Sequence, residues 1–360
     1  MKDAARDNQQ LIRETLRLVS PGTVLYEGLE NILRARTGAL IVVGDSEEVL
    51  ALVNGGFRID TEVNPAALYE LAKMDGALIL SRDARRILFA NAHLTPDPMI
   101  PTVETGSRHR TAERVARQTG ELVISISQRR NVITLYRGTM RYVLQDVGVL
   151  LTKANQALST LERYKSVLEQ SLTNLSALEF EDLVTLTDVT TCLQRAQLVS
   201  RIAREIERYV VELGVEGRLV SMQLDELMVG IENVGLLIVK DYRNLETTGS
   251  PQEVLNHLES WSSDELLDLG LIARALGHGS SMNNLEVPVT PRGYRVLHRI
   301  PRLPALVIEN IVQVFKTLPQ IMEASIDELD DVEGIGEVRA KAIKEGLRRL
   351  REQALLDRHL

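Results

Sequence analysis

Gly38-Ala39-Leu40-Ile41-Val42-Val43-Gly44 is a short apolar run bounded by glycines, the pattern of a buried strand. Helix and strand signals alternate outward from it. Upstream, Leu11 to Val19 and Val24 to Arg36 carry helical spacing, broken by Pro21-Gly22. Downstream, Val49 to Val53 reads as the hairpin partner of the first strand, ending at Asn54-Gly55-Gly56. Pro65 to Leu71 predicts a helix, Ala77 to Leu80 and Ile87 to Asn91 strands, and Leu94-Thr95-Pro96-Asp97-Pro98 a rigid loop. A helix follows over Arg108 to Gln118, stopped by Gly120, then strands over Leu122 to Ser127 and Val132 to Tyr136. Short strands interleaved with helices and hairpins predict a mixed β-sheet flanked by helices, an α+β domain over residues 1–140.

Within this domain, Gly106-Ser107-Arg108-His109-Arg110-Thr111 gathers a glycine, hydroxyls, two guanidiniums and an imidazole at the expected start of a helix. Backbone N–H groups at a helix N-terminus point at anions, and arginines add charge-assisted bonds. Asp75-Gly76-Ala77 stands between a helix and a strand, a common place for a metal-holding carboxylate. Cradle and carboxylate together suggest a nucleotide with a divalent cation. The plainer alternative is a solvated basic helix start and an ordinary turn aspartate.

The rest of the chain differs in character. Between Pro101 and Pro251 there is no proline, and between Gly148 and Gly214 no glycine. Apolar residues recur every three or four positions from Val143 to Leu175 and from Val189 to Leu213, which predicts two long amphipathic helices, the second closed by Gly214. Further helices are expected over Leu219 to Val229 and Glu253 to Leu258, and Ser262 with Glu265 forms a capping box for one ending near Gly277. This central helical spine, residues 141–287, holds 12 Lys and Arg against 22 Asp and Glu, so it carries the acidity of a chain whose net charge is −8. Both flanking segments are nearly neutral, and phosphate sites there are not excluded. The single cysteine, Cys192, falls on an apolar face and excludes an internal disulfide. His257 and His278 are isolated and read as structural. Without a signal peptide or an apolar run of about 18–20 residues, a cytoplasmic protein is expected.

Residues 288–360 contain a repeat. Leu329, Val332, Gly334, Ile335, Gly336, Ala340 and Ile343 form a helix, Gly-hydrophobic-Gly turn, helix frame, and 32 positions earlier stand Leu297, Ile300, Arg302, Leu303, Pro304, Ile308 and Ile311. Two copies in register predict a C-terminal tandem helix-hairpin-helix. Gly334, Ile335 and Gly336 can present N–H groups to one DNA phosphate without touching a base, with Lys341 and Lys344 nearby. The first copy has Arg302 and Pro304 where glycines would sit, so it is either a packing partner or a copy that binds through the Arg302 side chain. Such binding should be weak per copy, salt-sensitive and sequence-independent.

Asp75-Gly76-Ala77 and Gly106-Ser107-Arg108-His109-Arg110, followed by Glu121 to Tyr136, resemble the paired signatures of the diadenylate cyclase domain. With the helical middle and terminal hairpins, the whole chain is similar to the DNA integrity scanning family of bacterial diadenylate cyclases. Ser107 stands where that family commonly has threonine, and both supply a hydroxyl.

The resemblance implies condensation of two ATP into cyclic di-AMP and two pyrophosphates, with Mg²⁺ or Mn²⁺ held by Asp75. It implies ATP contacts at Gly76, Ala77, Leu94, Gly106, Ser107, Arg108, His109, Arg110, Thr111 and Ser127, with Arg129 a further wall position. Asp75, Arg108, His109 and Arg110 are the expected catalytic set. It implies an octamer with cyclase domains face to face, and branched DNA as a partner that suppresses synthesis. A symmetric product from two identical nucleotides itself requires two facing domains. The alternatives are a non-catalytic DNA-binding scaffold with a nucleotide-sensing site, or a repair nuclease, which would need a carboxylate cluster absent from the first domain.

Overall fold

The computed structural model describes residues 2–279 and 285–357. The chain forms two compact units, residues 1–156 with 206–222, and residues 157–205 with 223–360.

In the first unit β1 (Ala39–Val43) lies inside a mixed sheet. It runs parallel to β4 (Ala77–Leu80), with Ile41 opposite Leu78, and antiparallel to β6 (Leu122–Ser127), with Ile41 opposite Ile124. Both faces of β1 are covered, which is why its sequence is continuously apolar rather than alternating. Ile41 and Val43 pack with Leu25, Leu29 and Ile32 of α2 (Val24–Arg34) and Leu68 of α4 (Pro65–Ala72). Leu40 and Val42 face the other way, onto Ala112, Val115 and Ala116 of α5 (Ser107–Thr119). The first helix, α1 (Lys2–Leu18), adds Leu16 to the former layer. The α+β mixed sheet with flanking helices is thus observed.

One local expectation changes in this unit. Val49 to Val53 is not the hairpin partner of β1: Glu47–Ala51 is a short helix, α3, followed by β2 (Val53–Asn54). Ser46 caps α3 by accepting from the Val49 N–H, and Glu47 and Glu48 stand in the first turn, so capping and charge outweigh the β-branched Val49. The sheet also contains β3 (Phe57–Glu62), whose residues are mostly exposed and therefore lack an apolar signal. It pairs with β5 (Arg86–Leu94). At the other edge β7 (Val132–Arg137) pairs with β8 (Met140–Val143).

The two long helices are α6 (Val147–Glu181) and α7 (Leu186–Leu213), and Gly214 follows α7 with φ +53°. After α8 (Arg218–Met228) come α9 (Val234–Tyr242) and α10 (Pro251–Glu259). The Ser262–Glu265 capping box forms, but its helix does not reach Gly277. It ends as α11 (Ser263–Leu267), because Asp268 leaves helical geometry and caps α12 (Leu269–Ala275) through the N–H groups of Gly270 and Leu271. Cys192 is buried, and burial pushes its thiol pKa up to about 12. Among the described residues no helix is long and apolar enough to cross a membrane.

Both hairpins are present. The first joins α13 (Tyr294–His298) to α14 (Ala305–Phe315); α15 (Leu318–Glu323) intervenes, and the second joins α16 (Ile326–Asp330) to α17 (Glu337–Asp357). They share one core that includes Leu297, Ile300, Ile308, Ile311, Leu329, Val332, Ile335, Ala340 and Ile343.

A buried polar network joins α13 to the helices before it. Asp241 of α9 accepts from the N–H groups of Gly293 and Tyr294 at 2.8 and 2.7 Å and of Arg295 at 2.9 Å. The Arg295 guanidinium pairs with Glu179 of α6, and the Tyr242 hydroxyl donates to Glu179 at 2.7 Å. Burial, reinforced by the Glu179 charge, raises the Asp241 pKa to about 7, against the pull of the N–H groups and Arg295. A carboxyl whose folded pKa is raised stabilises fully below its unfolded value and loses that contribution as pH rises through the folded pKa. Stability from Asp241 should therefore fall between about pH 4 and 7, with a slope of at most about 1.4 kcal/mol per pH unit. Denaturant unfolding from pH 5 to 8 should show this decline, and Asp241→Asn, which mimics the neutral acid, should flatten it.

Candidate active site

Because β1 and β4 run parallel and β6 antiparallel to β1, the start of β4 and the end of β6 meet at one end of the sheet. Asp75, Gly76 and Ala77 enter β4 there, and Ser127 closes β6. β5 finishes at the same end: Ala92 pairs with Ala77, and Leu94, buried, pairs with Val53 of β2. The sheet thus gathers Asp75–Ala77, Leu94 and Ser127 from distant parts of the chain.

The helix that completes the site is placed by its preceding loop. Glu113, buried on α5, accepts from the Thr102 hydroxyl and the Val103 N–H and pairs with Arg117 at 2.6 Å. Arg114 and Arg117 donate to the carbonyls of Ile100 and Pro101. On the other side, Glu104 accepts from the Tyr136 hydroxyl at 2.8 Å and Arg141 at 2.7 Å. Burial alone would raise the Glu104 pKa, but those two bonds hold it below the usual carboxylate range. Between these anchors Gly106 opens α5 with no side-chain cap. The first-turn N–H groups that a helix leaves unpaired therefore face an open position suited to an anion.

The side chains of the Ser107-to-Thr111 run leave the helix in different directions. Arg108 reaches back along the sheet end: one of its terminal nitrogens lies 3.6 Å from the Asp75 carboxylate. A Cβ on Gly38 would lie 2.2 Å from the other, so the glycine before β1 makes room for this side chain. Asp75 itself is fully exposed. His109 turns inward and is buried, its Nδ1 3.2 Å from the Ser125 hydroxyl and its ring edge-on to Tyr136. Its Nε2 is buried without a hydrogen-bond partner. Burial lowers its pKa, opposed by Glu104 and aided by Arg130 and Arg141, which leaves the imidazole neutral at pH 7. Ser107 and Arg110 are exposed and Thr111 is half-buried. The Ser127 hydroxyl accepts from the Arg130 N–H at 3.2 Å, and Arg129 is exposed beside it.

The two site glycines do different work. A Cβ on Gly76 would lie 2.3 Å from the backbone carbon of Asn91, whose side chain accepts from the Gly76 N–H at 3.0 Å. Close approach to β5 therefore demands glycine. At Gly106 a Cβ would meet only the His109 Nδ1, at 3.7 Å, so the protein does not need glycine there and the space stays open to a ligand. In the second hairpin the same contrast recurs. Gly334 takes a left-handed φ of +82°, whereas a Cβ on Gly336 would touch nothing. Ile335 is buried, Lys341 pairs with Glu337 at 2.5 Å, and the Lys344 ammonium donates to the Met322 carbonyl at 2.7 Å. In the first hairpin Arg302 occupies the position of Gly334 and is also left-handed, φ +61°.

Gly38, Asn91, Glu104, Glu113, Ser125 and Tyr136 are supporting residues that the motif reading did not single out. Helical spacing carried part of the signal: His109 and Glu113 share a stripe with Ala112 and Ala116, the inward face of α5.

Family models match in the order of these parts. Residues 26–140 match the DisA bacterial checkpoint controller nucleotide-binding model, 144–285 the DisA bacterial checkpoint controller linker region, and 317–346 the helix-hairpin-helix motif. Fold and site thus define a nucleotide-binding domain followed by a helical linker and a hairpin module. The chain is 61% identical to the DNA integrity scanning protein DisA of Carboxydothermus hydrogenoformans, covering 94% of this chain and 96% of that protein. It is 61% identical to that of Symbiobacterium thermophilum, covering 96% and 98%, and 56% identical to that of Clostridium tetani, covering 99% and 97%. It belongs to the DisA family.

Gly76→Ala should destabilise the protein by about 1–3 kcal/mol, because the added methyl must displace β5 backbone. Gly106→Ala should change stability by less than about 0.5 kcal/mol yet weaken ATP binding; thermal unfolding with and without ATP separates the two effects.

Proposed function

We propose that the protein is a diadenylate cyclase that condenses two ATP into cyclic di-AMP and two pyrophosphates, and that its C-terminal hairpins bind DNA. The observation that carries the reading is the uncapped start of α5 standing beside Arg108 and the exposed Asp75, in a chain of the DisA family. Each domain offers one phosphate cradle and one exposed carboxylate, half of what a symmetric dinucleotide requires. Two copies facing each other complete the site, and an octamer with cyclase domains together would hold such pairs.

In the reaction the 3′-hydroxyl of one ATP attacks the α-phosphate of the other. The new 3′-oxygen–phosphorus bond replaces the bond to pyrophosphate, and the hydroxyl proton departs. Such a step needs chiefly alignment and charge neutralisation. The first-turn N–H groups of α5, with Ser107 and Thr111, hold the triphosphate, and Arg108 spans the distance between it and Asp75. Arg110, on the exposed side of the helix, is available to the facing nucleotide. His109 contributes by fixing α5 against β6 and β7, its neutral ring directed inward. Ala77, Leu94 and Ser127 line the sheet end where the nucleoside would lie.

The donor set fits a divalent cation of the Mg²⁺ or Mn²⁺ type. Among the described residues no three His, Cys, Asp or Glu side chains cluster, so Asp75 would be the protein's ligand, with phosphate oxygens and water completing the shell. The ion would neutralise phosphate charge. Asp75 is also placed to accept the proton of the 3′-hydroxyl.

At the second hairpin the N–H groups of Gly334, Gly336 and the first turn of α17 form the DNA phosphate site, the Ile335 N–H being donated to the Val332 carbonyl at 3.0 Å. Because Lys341 and Lys344 already have intramolecular partners, backbone leads this contact. Coupling between DNA and synthesis, with branched DNA suppressing it, belongs to the same reading, as does a cytoplasmic setting.

Incubation with ATP and Mn²⁺ should yield cyclic di-AMP by chromatography, and Asp75→Asn should lower the rate by about a hundredfold. No product from the wild type would overturn the cyclase reading and favour a nucleotide-sensing scaffold; an unimpaired Asp75→Asn would overturn only the role of Asp75. Gly336→Ala should leave the unfolding temperature unchanged while weakening duplex binding about tenfold at low salt.

A further inference from the structure

The repeat carries a feature beyond its turns. With the offset of 32, Leu306 of α14 falls on Val338 of α17, each the second residue of the helix after the turn. Leu306 is 72% exposed and Val338 85%. The aliphatic pairs Leu297 and Leu329, Ile300 and Val332, and Ile311 and Ile343 are buried in both copies. A single exposed aliphatic side chain is ordinary, but the same register position exposed in both copies is not explained by the core they share.

Their surroundings specify a partner. The second residue of a helix lies beside the N–H groups that its first turn leaves free. The copies also touch: Val307, next to Leu306, lies where a Cβ on Gly334 would meet it at 3.5 Å, and Asn310 of α14 donates to the Glu333 carbonyl at 2.9 Å. The start of α14 therefore abuts the turn that presents the phosphate site, and Leu306 and Val338 flank that turn. Arg302 and Arg339, both exposed, accompany them, the Arg339 guanidinium donating to the Gly334 carbonyl of the turn itself. Apolar side chains bordered by guanidiniums and a phosphate-binding turn suit DNA, whose deoxyribose and base-step surfaces are apolar beside an anionic backbone.

We propose that Leu306 and Val338 form a pair of apolar prongs that enter the minor groove on either side of the bound phosphate and favour DNA whose base stacking is interrupted. Wedging apolar groups between stacked bases costs unstacking energy, least where the stack is already open. The prongs thus add structure selectivity to a backbone contact that has none of its own. The inference rests on the DNA-binding reading of the hairpins and extends it to the first copy.

The test uses the full chain and two fluorescent DNAs of equal length, an intact duplex and one with a one-nucleotide gap, titrated by anisotropy at several salt concentrations. The wild type should prefer the gapped DNA. Leu306→Ser with Val338→Ser should reduce that preference about tenfold, with duplex affinity within about twofold, and the same salt slope. Leu306→Met with Val338→Met, which keeps the apolar reach, should retain the preference. A double serine variant with wild-type unfolding temperature and unchanged preference would overturn the proposal, as would a wild type without preference. Binding to neither DNA would overturn the DNA-binding reading itself, and the prongs with it.

Discussion

Glu113 is a carboxylate buried on the inward face of a helix, where an ion is costly unless paired and hydrogen-bonded. Its partners are Arg117, one turn on, and the hydroxyl and N–H of Thr102 and Val103. It is therefore satisfied only when the loop from β5 lies against α5. Glu104 imposes a second condition through Tyr136 and Arg141. With Val103 and Glu104 both fixed, Gly106 starts the helix at one place. A glycine in place of a side-chain cap forgoes only a few tenths of a kcal/mol, and these buried acids, not a cap, fix where the helix begins. That leaves the first turn rigid and unoccupied by protein, the combination an anion site requires.

The second unit applies the same device to the opposite end. The N–H groups at the start of α13 would serve equally well for an anion, but Asp241 occupies them from within. Arg292, just before, donates to the carbonyls of Lys240, Asp241 and Arg243 and so closes the C-terminus of α9. Helix ends that could bind ligands are here consumed in joining one helix to the next. Arg295 and Glu179 extend the junction to α6, so the hairpins are held by buried charge pairs as well as by apolar packing. Removing one partner would strand the other, which makes such a junction stiff.

Much of this was legible in sequence wherever one signal acted alone. Short apolar runs located β1, β4 and β6, the first bounded by glycines, sustained periodicity located α6 and α7, and the offset of 32 located both hairpins. Legibility failed where signals competed or were absent. Val49 looked like a strand residue until Ser46 and the following glutamates were weighed as a helix start. The exposed β3 offered no apolar face. At the site the linear motif carries no direction: Arg108, His109 and Arg110 are adjacent in sequence but lie along the sheet end, inward and on the exposed side. Successive helix residues stand about 100° apart, so adjacency in sequence does not set where their side chains point. Glu104, Asn91 and Gly38 matter through partners far along the chain, which sequence spacing does not reveal.

A chain with a net charge of −8 that engages two polyanions must do so at short range. Long-range attraction would require a strongly basic face, and the segments that hold α5 and α17 are nearly neutral overall, with Arg108 set against Asp75 and Lys341 against Glu337. Backbone N–H groups carry partial charge without net charge, and their effect is confined to the first turn of a helix. Recognition built this way steers little and depends on fit. In the proposed reaction the restriction is useful, since each triphosphate would repel the other and gain compensation only when fully seated on its own helix start, guanidinium and cation. Partial or misaligned encounters lack that compensation and separate. The geometry that places Gly106 is then also what makes the pairing of two nucleotides selective.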